Sequence, residues 1–264
     1  MEASKEENPM NKTSKFKKPL LFALSLLPVG IIGGICTAYY QLGTLSADMV
    51  SDVIAQVGSL GAFIAITTLQ STLYAILFGF IGYILTRKVG LLKPFTLNKK
   101  GMVSSLLVGA LIGTLLCADH FVSGSMYPEL QNVNVVSFSA TGVLASVFYG
   151  GVIEEVMMRL FLMSLIVFIC WKLFFRKYTS DNIPNKIYII ANIITAFAFS
   201  AGHLPATISI FGTLTLFLLI RCFLLNGMAG YLFGELFRKH GISYAMIAHA
   251  TAHISKFILF AIFL

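Results

Sequence analysis

Five side chains suited to proton transfer lie inside long apolar runs of this 264-residue chain: Glu154, Glu155, His203, His249 and His253. Arg159 and Lys256 share those runs, and Arg221 lies in another. An ionisable group within a bilayer costs several kcal/mol, so each of these positions is a functional candidate by default. Glutamate and histidine are the residue types that pass protons at ordinary pH. A carboxylate base beside imidazoles is the equipment for activating water.

Helical spacing sorts the candidates. Glu155 and Arg159 are four apart with the acid nearer the N-terminus, the favourable order for an intrahelical ion pair. Glu154 is rotated by about 100° from that pairing and is left free to face another helix. A purely structural alternative is a buried ion pair plus one carboxylate reaching into a polar crevice. His249 and His253, also four apart, project from one face, and Lys256 extends the stripe. A single histidine on such a face would more often be a packed core residue. Two here share a face with a lysine.

The elements that hold these residues are all expected to be helices. Apolar residues make up 57% of the chain and charged residues only 11%, too few to cover a soluble domain. Seven apolar runs occupy residues 19–40, 60–85, 101–118, 138–171, 187–203, 212–237 and 242–264. A hydrocarbon core of about 30 Å asks roughly 20 apolar residues of a helix. The expectation is an all-α polytopic bundle, a single transmembrane domain over 19–264 behind a disordered tail over 1–18. The 138–171 run is long enough to overshoot the membrane or to contain a break near Gly150–Gly151. A β-barrel is excluded, because its strands alternate apolar and polar residues.

Charge sets the orientation. Lysines at 5, 12, 15, 17 and 18 precede the first run, and further basic residues lie at 87–100, 172–186 and 238–239. The stretches 41–59, 119–137 and 204–211 hold no Lys or Arg. Basic loops stay cytoplasmic, which puts the N-terminus inside and the C-terminus outside. The net charge of +8 is then a topology signal and not a nucleic-acid footprint. The four cysteines have no metal-ligand spacing and read as packing residues. Gly109/Gly113 and Gly230/Gly234 have the spacing that lets helices approach closely.

Three short motifs now resemble a known family. Glu154-Glu155-x-x-x-Arg159 is similar to the first motif of the CPBP family of intramembrane proteases, which includes CAAX prenyl endopeptidases and bacteriocin-processing and immunity (Abi-like) proteins. Phe199-x-x-x-His203 resembles the second motif. His249 begins the third, whose last position is usually Asn or Asp but is His253 here. The match covers the protease-like core at about 138–264 and leaves out the first three runs.

The resemblance implies an endopeptidase of the cell membrane, multi-pass, acting on a membrane-associated peptide or protein. Glu154 and His203 would activate water, His249 and His253 would stabilise the oxyanion, and Glu155 and Arg159 would hold the constellation together. No cofactor is expected; zinc is the alternative, since two histidines at i, i+4 with a Glu and a further His make a credible shell. The other readings are a non-catalytic immunity or scaffold protein of the same fold and, less favoured, a proton-coupled transporter. The transporter would show inverted repeats, and none is evident. Counting about 1.5 Å per residue from the cytoplasmic ends puts Glu154 and His203 roughly 10 Å deeper than His249.

Overall fold

The computed structural model describes residues 9–127 and 139–263, and every regular element among them is helical. α1 (Pro9–Ser25) and α2 (Leu27–Thr44) form one long path with a turn at Leu26, where the Leu26 N–H donates to the Ala23 carbonyl. α3 (Ala47–Val57) is short and buries no residue. α4 (Leu60–Lys88) and α5 (Lys99–Gly124) are long and apolar. Their starts are fixed by Ser59 and Asn98, whose side-chain oxygens accept the N–H groups of Ala62 and Gly101. Of the stretch expected as a disordered tail, residues 9–18 are helical and 1–8 lie outside the described residues.

The 138–171 run does not break at Gly150–Gly151. It becomes α6, a helical path over residues 140–174 whose middle is wound wider than an α-helix. α-helical turns at Ala140–Ala145 and Ser164–Phe174 flank two π-helical stretches, Ser146–Glu154 and Val156–Met163. Such widened turns are rare and favour functional sites. α6 runs through the centre of the bundle, with Ile153, Val156, Met163 and Val167 wholly buried.

The remaining helices are α7 (Asn185–Gly202), α8 (Leu204–Phe211), α9 (Leu216–His240) and α10 (Ile242–Phe263). The stretch 204–211, expected as a loop, is the short α8. The stretch 119–137 is helical as far as Gly124, and its residues 128–137 lie outside the described residues. Six helical spans among the described residues are long and apolar enough to cross a membrane: 16–44, 60–88, 99–124, 185–211, 216–240 and 242–263. α6 is not among them. The outward faces suit hydrocarbon: Leu107, Leu224 and Ile262 expose 65%, 62% and 66% of their surface. The protein is a polytopic helical membrane protein.

Small residues bring the helices together where the site needs them. A Cβ on Gly109 or Gly113 of α5 would lie 2.5 Å from the carbonyl oxygen of Ala248 or Ala252 on α10. On α9, a Cβ at Gly234 would fall 1.8 Å from Asn192 Oδ1 of α7. Only glycine permits these approaches.

The basic loops gather at one end of the bundle. Lys93 Nζ donates to the Lys239 carbonyl at 2.7 Å, the Tyr188 hydroxyl to the Val89 carbonyl at 2.7 Å, and Arg238 to Asn185 Oδ1 at 2.9 Å. Burial and the nearby Arg238 charge lower the Lys93 pKa from its ordinary value. At the other end, where no basic loop lies, Tyr127 of the α5 end stacks on Phe217 near the start of α9.

Candidate active site

Glu155 is the hub. It is completely buried on α6, and its Oε1 lies 2.8 Å from His249 Nδ1 on α10. Its Oε2 lies 3.2 Å from Arg159 Nε one turn on, an ion pair without hydrogen-bond alignment. Arg159 is equally buried and donates from Nη2 to the Gly230 carbonyl of α9 at 2.9 Å. Its guanidinium lies 4.8 Å from the Phe199 ring and 5.9 Å from the Phe233 ring. One carboxylate and one guanidinium thereby tie together four helices: α6, α7, α9 and α10.

The imidazoles are aimed by their Nδ1 atoms. A carboxylate accepts, so His249 Nδ1 carries a proton and its Nε2 faces away from Glu155. His203, at the α7–α8 junction, has Nδ1 2.8 Å from the Phe199 carbonyl. A carbonyl can only accept, so His203 too is protonated at Nδ1, and its Nε2 faces away from Phe199. The Phe199 ring meets His203 edge-on at 4.6 Å and His249 at 5.9 Å, and it lies under Arg159. That accounts for an aromatic residue one turn before the histidine. Phe233 stacks on the other side of His249 at 4.7 Å.

Glu154 is the freer acid. Its Oε2 is 4.0 Å from His249 Nε2, and its side chain keeps 23% of its surface exposed. Glu154, His203, His249 and His253 all line one cavity of about 940 Å³. His253 stacks on His249 at 5.1 Å, and its Nδ1 is buried without a hydrogen-bond partner. A Cβ on Gly150 would lie 3.0 Å from His253 Nε2 and 3.7 Å from His249 Nε2, so glycine lets α6 come close to both rings.

All six residues expected at a site are thus brought together: four on the cavity wall, with Glu155 and Arg159 buried directly behind them. The offset in depth expected between Glu154 and His249 does not exist. Residue counting assumed α-helical rise throughout. The wider turns of α6 climb less per residue, which removes part of the counted offset. They also rotate less per residue than the α-helical value of about 100°, which lets both acids approach one imidazole.

Sequence reasoning missed Phe233 and the Gly230 carbonyl. One phenylalanine among 23 carries no signal, and a backbone acceptor carries none at all. It also placed Asp119 in a loop, whereas Asp119 lies on α5 and binds Arg221 of α9 through both Nε and Nη2. Zinc was open as an alternative. Among the described residues, no three His, Cys, Asp or Glu side chains converge closely enough to hold a metal ion. The side chains as placed do not fit a zinc shell, and no step below is routed through one.

This combination of helical membrane architecture and a buried carboxylate–imidazole cluster defines the class. Residues 136–255 match the family model described as type II CAAX prenyl endopeptidase Rce1-like. Over that segment the chain is similar to the CAAX-protease (CPBP) family. No curated protein and no solved structure matches the chain.

Proposed function

We propose that this protein is an endopeptidase of the cell membrane that hydrolyses a peptide bond in a membrane-associated peptide or protein, without a metal. The observation that carries this reading is the gap between Glu154 Oε2 and His249 Nε2, 4.0 Å wide and open to the cavity. A base and a candidate donor separated by that distance can both reach the atoms of one carbonyl group. The family match supports a peptidase in general terms.

In the proposed reaction Glu154 takes a proton from water, which His203 orients by accepting its second hydrogen at Nε2. The water oxygen bonds to the carbonyl carbon, and the carbonyl oxygen becomes the oxyanion. His249 and His253 donate to it from Nε2, and Glu155 offsets the charge of a doubly protonated His249. Collapse breaks the carbon–nitrogen bond, and the proton held by Glu154 passes to the leaving amine. Glu155 and Arg159 act by position, since neither lines the cavity. The protein would cross the membrane seven times, with α6 as the seventh span and the basic loops cytoplasmic.

The test is purified protein with a panel of membrane-tethered peptides, products read by mass spectrometry, and Glu154→Gln beside wild type. Glu154→Gln keeps the shape and removes the base, and cleavage falls about 10²-fold or more. Full activity in that variant overturns the assignment. A folded wild type that cleaves no peptide overturns the peptidase reading.

A further inference from the structure

Three stretches of the sequence lack Lys and Arg, residues 41–59, 119–137 and 204–211, and each supplies wall to the cavity. Gln41, Thr44 and Leu45 come from the end of α2, Asp119 from the last turns of α5, and Ser209 and Phe211 from α8. The basic stretches 87–100, 172–186 and 238–239 supply none.

The rest of the interior follows the same division. Phe233 and His249, stacked on each other, are the wall residues nearest the basic end on α9 and α10. Beyond them the bundle is filled. Phe237 lies one turn past Phe233, Tyr244 lies five residues before His249, and both are 1% exposed. Val89, Leu91 and Ile187 are buried at the same end, and none of these five residues lines the cavity. The Tyr244 hydroxyl donates to the Thr96 carbonyl at 2.6 Å and accepts from the Asn98 N–H at 2.9 Å, which ties α10 to the loop before α5. Interiors packed in this way leave few voids larger than a water molecule. The carboxylate–imidazole cluster is thus closed off from the basic end and approached from the opposite one.

We propose that the site is served from the non-cytoplasmic side, and that its substrate is a peptide segment displayed there by a membrane anchor. This rests on the peptidase reading above and on the orientation proposed with it. From His249 to the outer end of α10 at Phe263 the helix rises about 21 Å. An extended chain covers about 3.3–3.6 Å per residue, so about six residues enter to bring a bond to Glu154. Gln41, Thr44 and Ser209 offer them amide and hydroxyl groups along the way. Backbone groups of an entering segment need such partners once they leave water.

Sided labelling tests the access without any substrate. Ser146→Cys on the cavity wall, Ser209→Cys on α8 and Ser180→Cys between the basic loops are placed singly in a background without the four native cysteines. Sealed right-side-out and inside-out membrane vesicles are treated with a membrane-impermeant maleimide. Ser146→Cys and Ser209→Cys react in right-side-out vesicles only, and Ser180→Cys in inside-out vesicles only. Reaction of Ser146→Cys from the same side as Ser180→Cys, or in neither preparation, overturns the proposal, and so does the whole pattern reversed. A second arm reads turnover. A peptide cleaved by purified wild type is fused to a single-span anchor, outside the membrane in one fusion and inside it in the other. Co-expressed wild type cuts the outer fusion alone, and Glu154→Gln cuts neither; cutting of the inner fusion overturns the proposal. A purified wild type that cleaves no peptide sinks the peptidase reading, while the labelling still decides from which side the cavity is reached.

Discussion

Glu155 Oε1 lies 2.8 Å from His249 Nδ1, a bond between two helices whose residues are 94 positions apart. The opposite oxygen of the same carboxylate faces Arg159 Nε. Adjacent acids on α6 thus take different parts: Glu155 is spent on orienting an imidazole and neutralising a buried guanidinium. Glu154, one residue earlier, keeps its carboxylate open to the cavity.

That division predicts opposite behaviour from two isosteric changes. Glu155→Gln leaves Arg159 buried with no counter-charge, and removing one partner of a buried pair destabilises by about 3–5 kcal/mol. The variant unfolds at lower denaturant or temperature in detergent and is also inactive. Glu154→Gln is inactive but unfolds like wild type. Equal unfolding midpoints for wild type and Glu155→Gln would contradict the hub role.

The second prediction concerns close approach. Gly113→Ala places a methyl group 2.5 Å from the Ala252 carbonyl oxygen, and backbone cannot yield without shifting α10, which carries His249 and His253. A displacement of about 1 Å at a reacting group lowers rate about 10²-fold. Gly150→Ala meets only the tip of the His253 ring at 3.0 Å, which can swing by a few tenths of an ångström. Cleavage assays with both variants, helicity checked by circular dichroism, should rank Gly113→Ala as the more damaging. The reverse order would mean that α10 is not held by α5.

These two glycines also show how much was legible in advance. The Gly109/Gly113 spacing announced a close helix contact, and the structure places it against α10. Glu155 with Arg159 was readable because an i, i+4 pair is local to one helix. The partner of Glu155 was not, because His249 is reached only by tertiary packing. Gly150–Gly151 signalled irregular winding, but two glycines do not say whether a helix breaks or widens. Arg221 stood alone in the sequence because its partner, Asp119, lies 102 positions away on another helix.

The third prediction is topological. Single cysteines at Ser180 and Ser125, in a background without the four native cysteines, should be labelled from opposite sides of the membrane. Ser180 lies between α6 and α7 near the basic loops, and exposed Ser125 follows the end of α5. The positive-inside rule makes Ser180 the cytoplasmic site. Labelling of both from one side would remove α6 as a full span and reverse the order of the helices that follow.

The last prediction concerns His253, where this sequence departs from the usual Asn or Asp. Its ring stacks on His249 and its Nε2 comes close to Gly150, so the edge it turns toward α6 is Nε2. Among the described residues its Nδ1 has no hydrogen-bond partner, and no carboxylate or carbonyl orients the ring as Glu155 orients His249 or Phe199 orients His203. A neutral donor needs only an N–H toward the oxyanion, which an amide supplies equally well. His253→Asn therefore keeps substantial activity. His253→Ala removes the donor and loses about 2.7–4 kcal/mol of transition-state stabilisation, as in other oxyanion holes. Both variants bind substrate with little change, because the contact strengthens only as negative charge develops on the carbonyl oxygen. A zinc ligand behaves otherwise: Asn is a poor replacement for imidazole, so metal and cleavage would vanish together in both variants. Metal analysis of purified wild type beside His253→Asn, with cleavage before and after chelation, separates the two. Stoichiometric zinc lost together with activity in His253→Asn would refute the donor role.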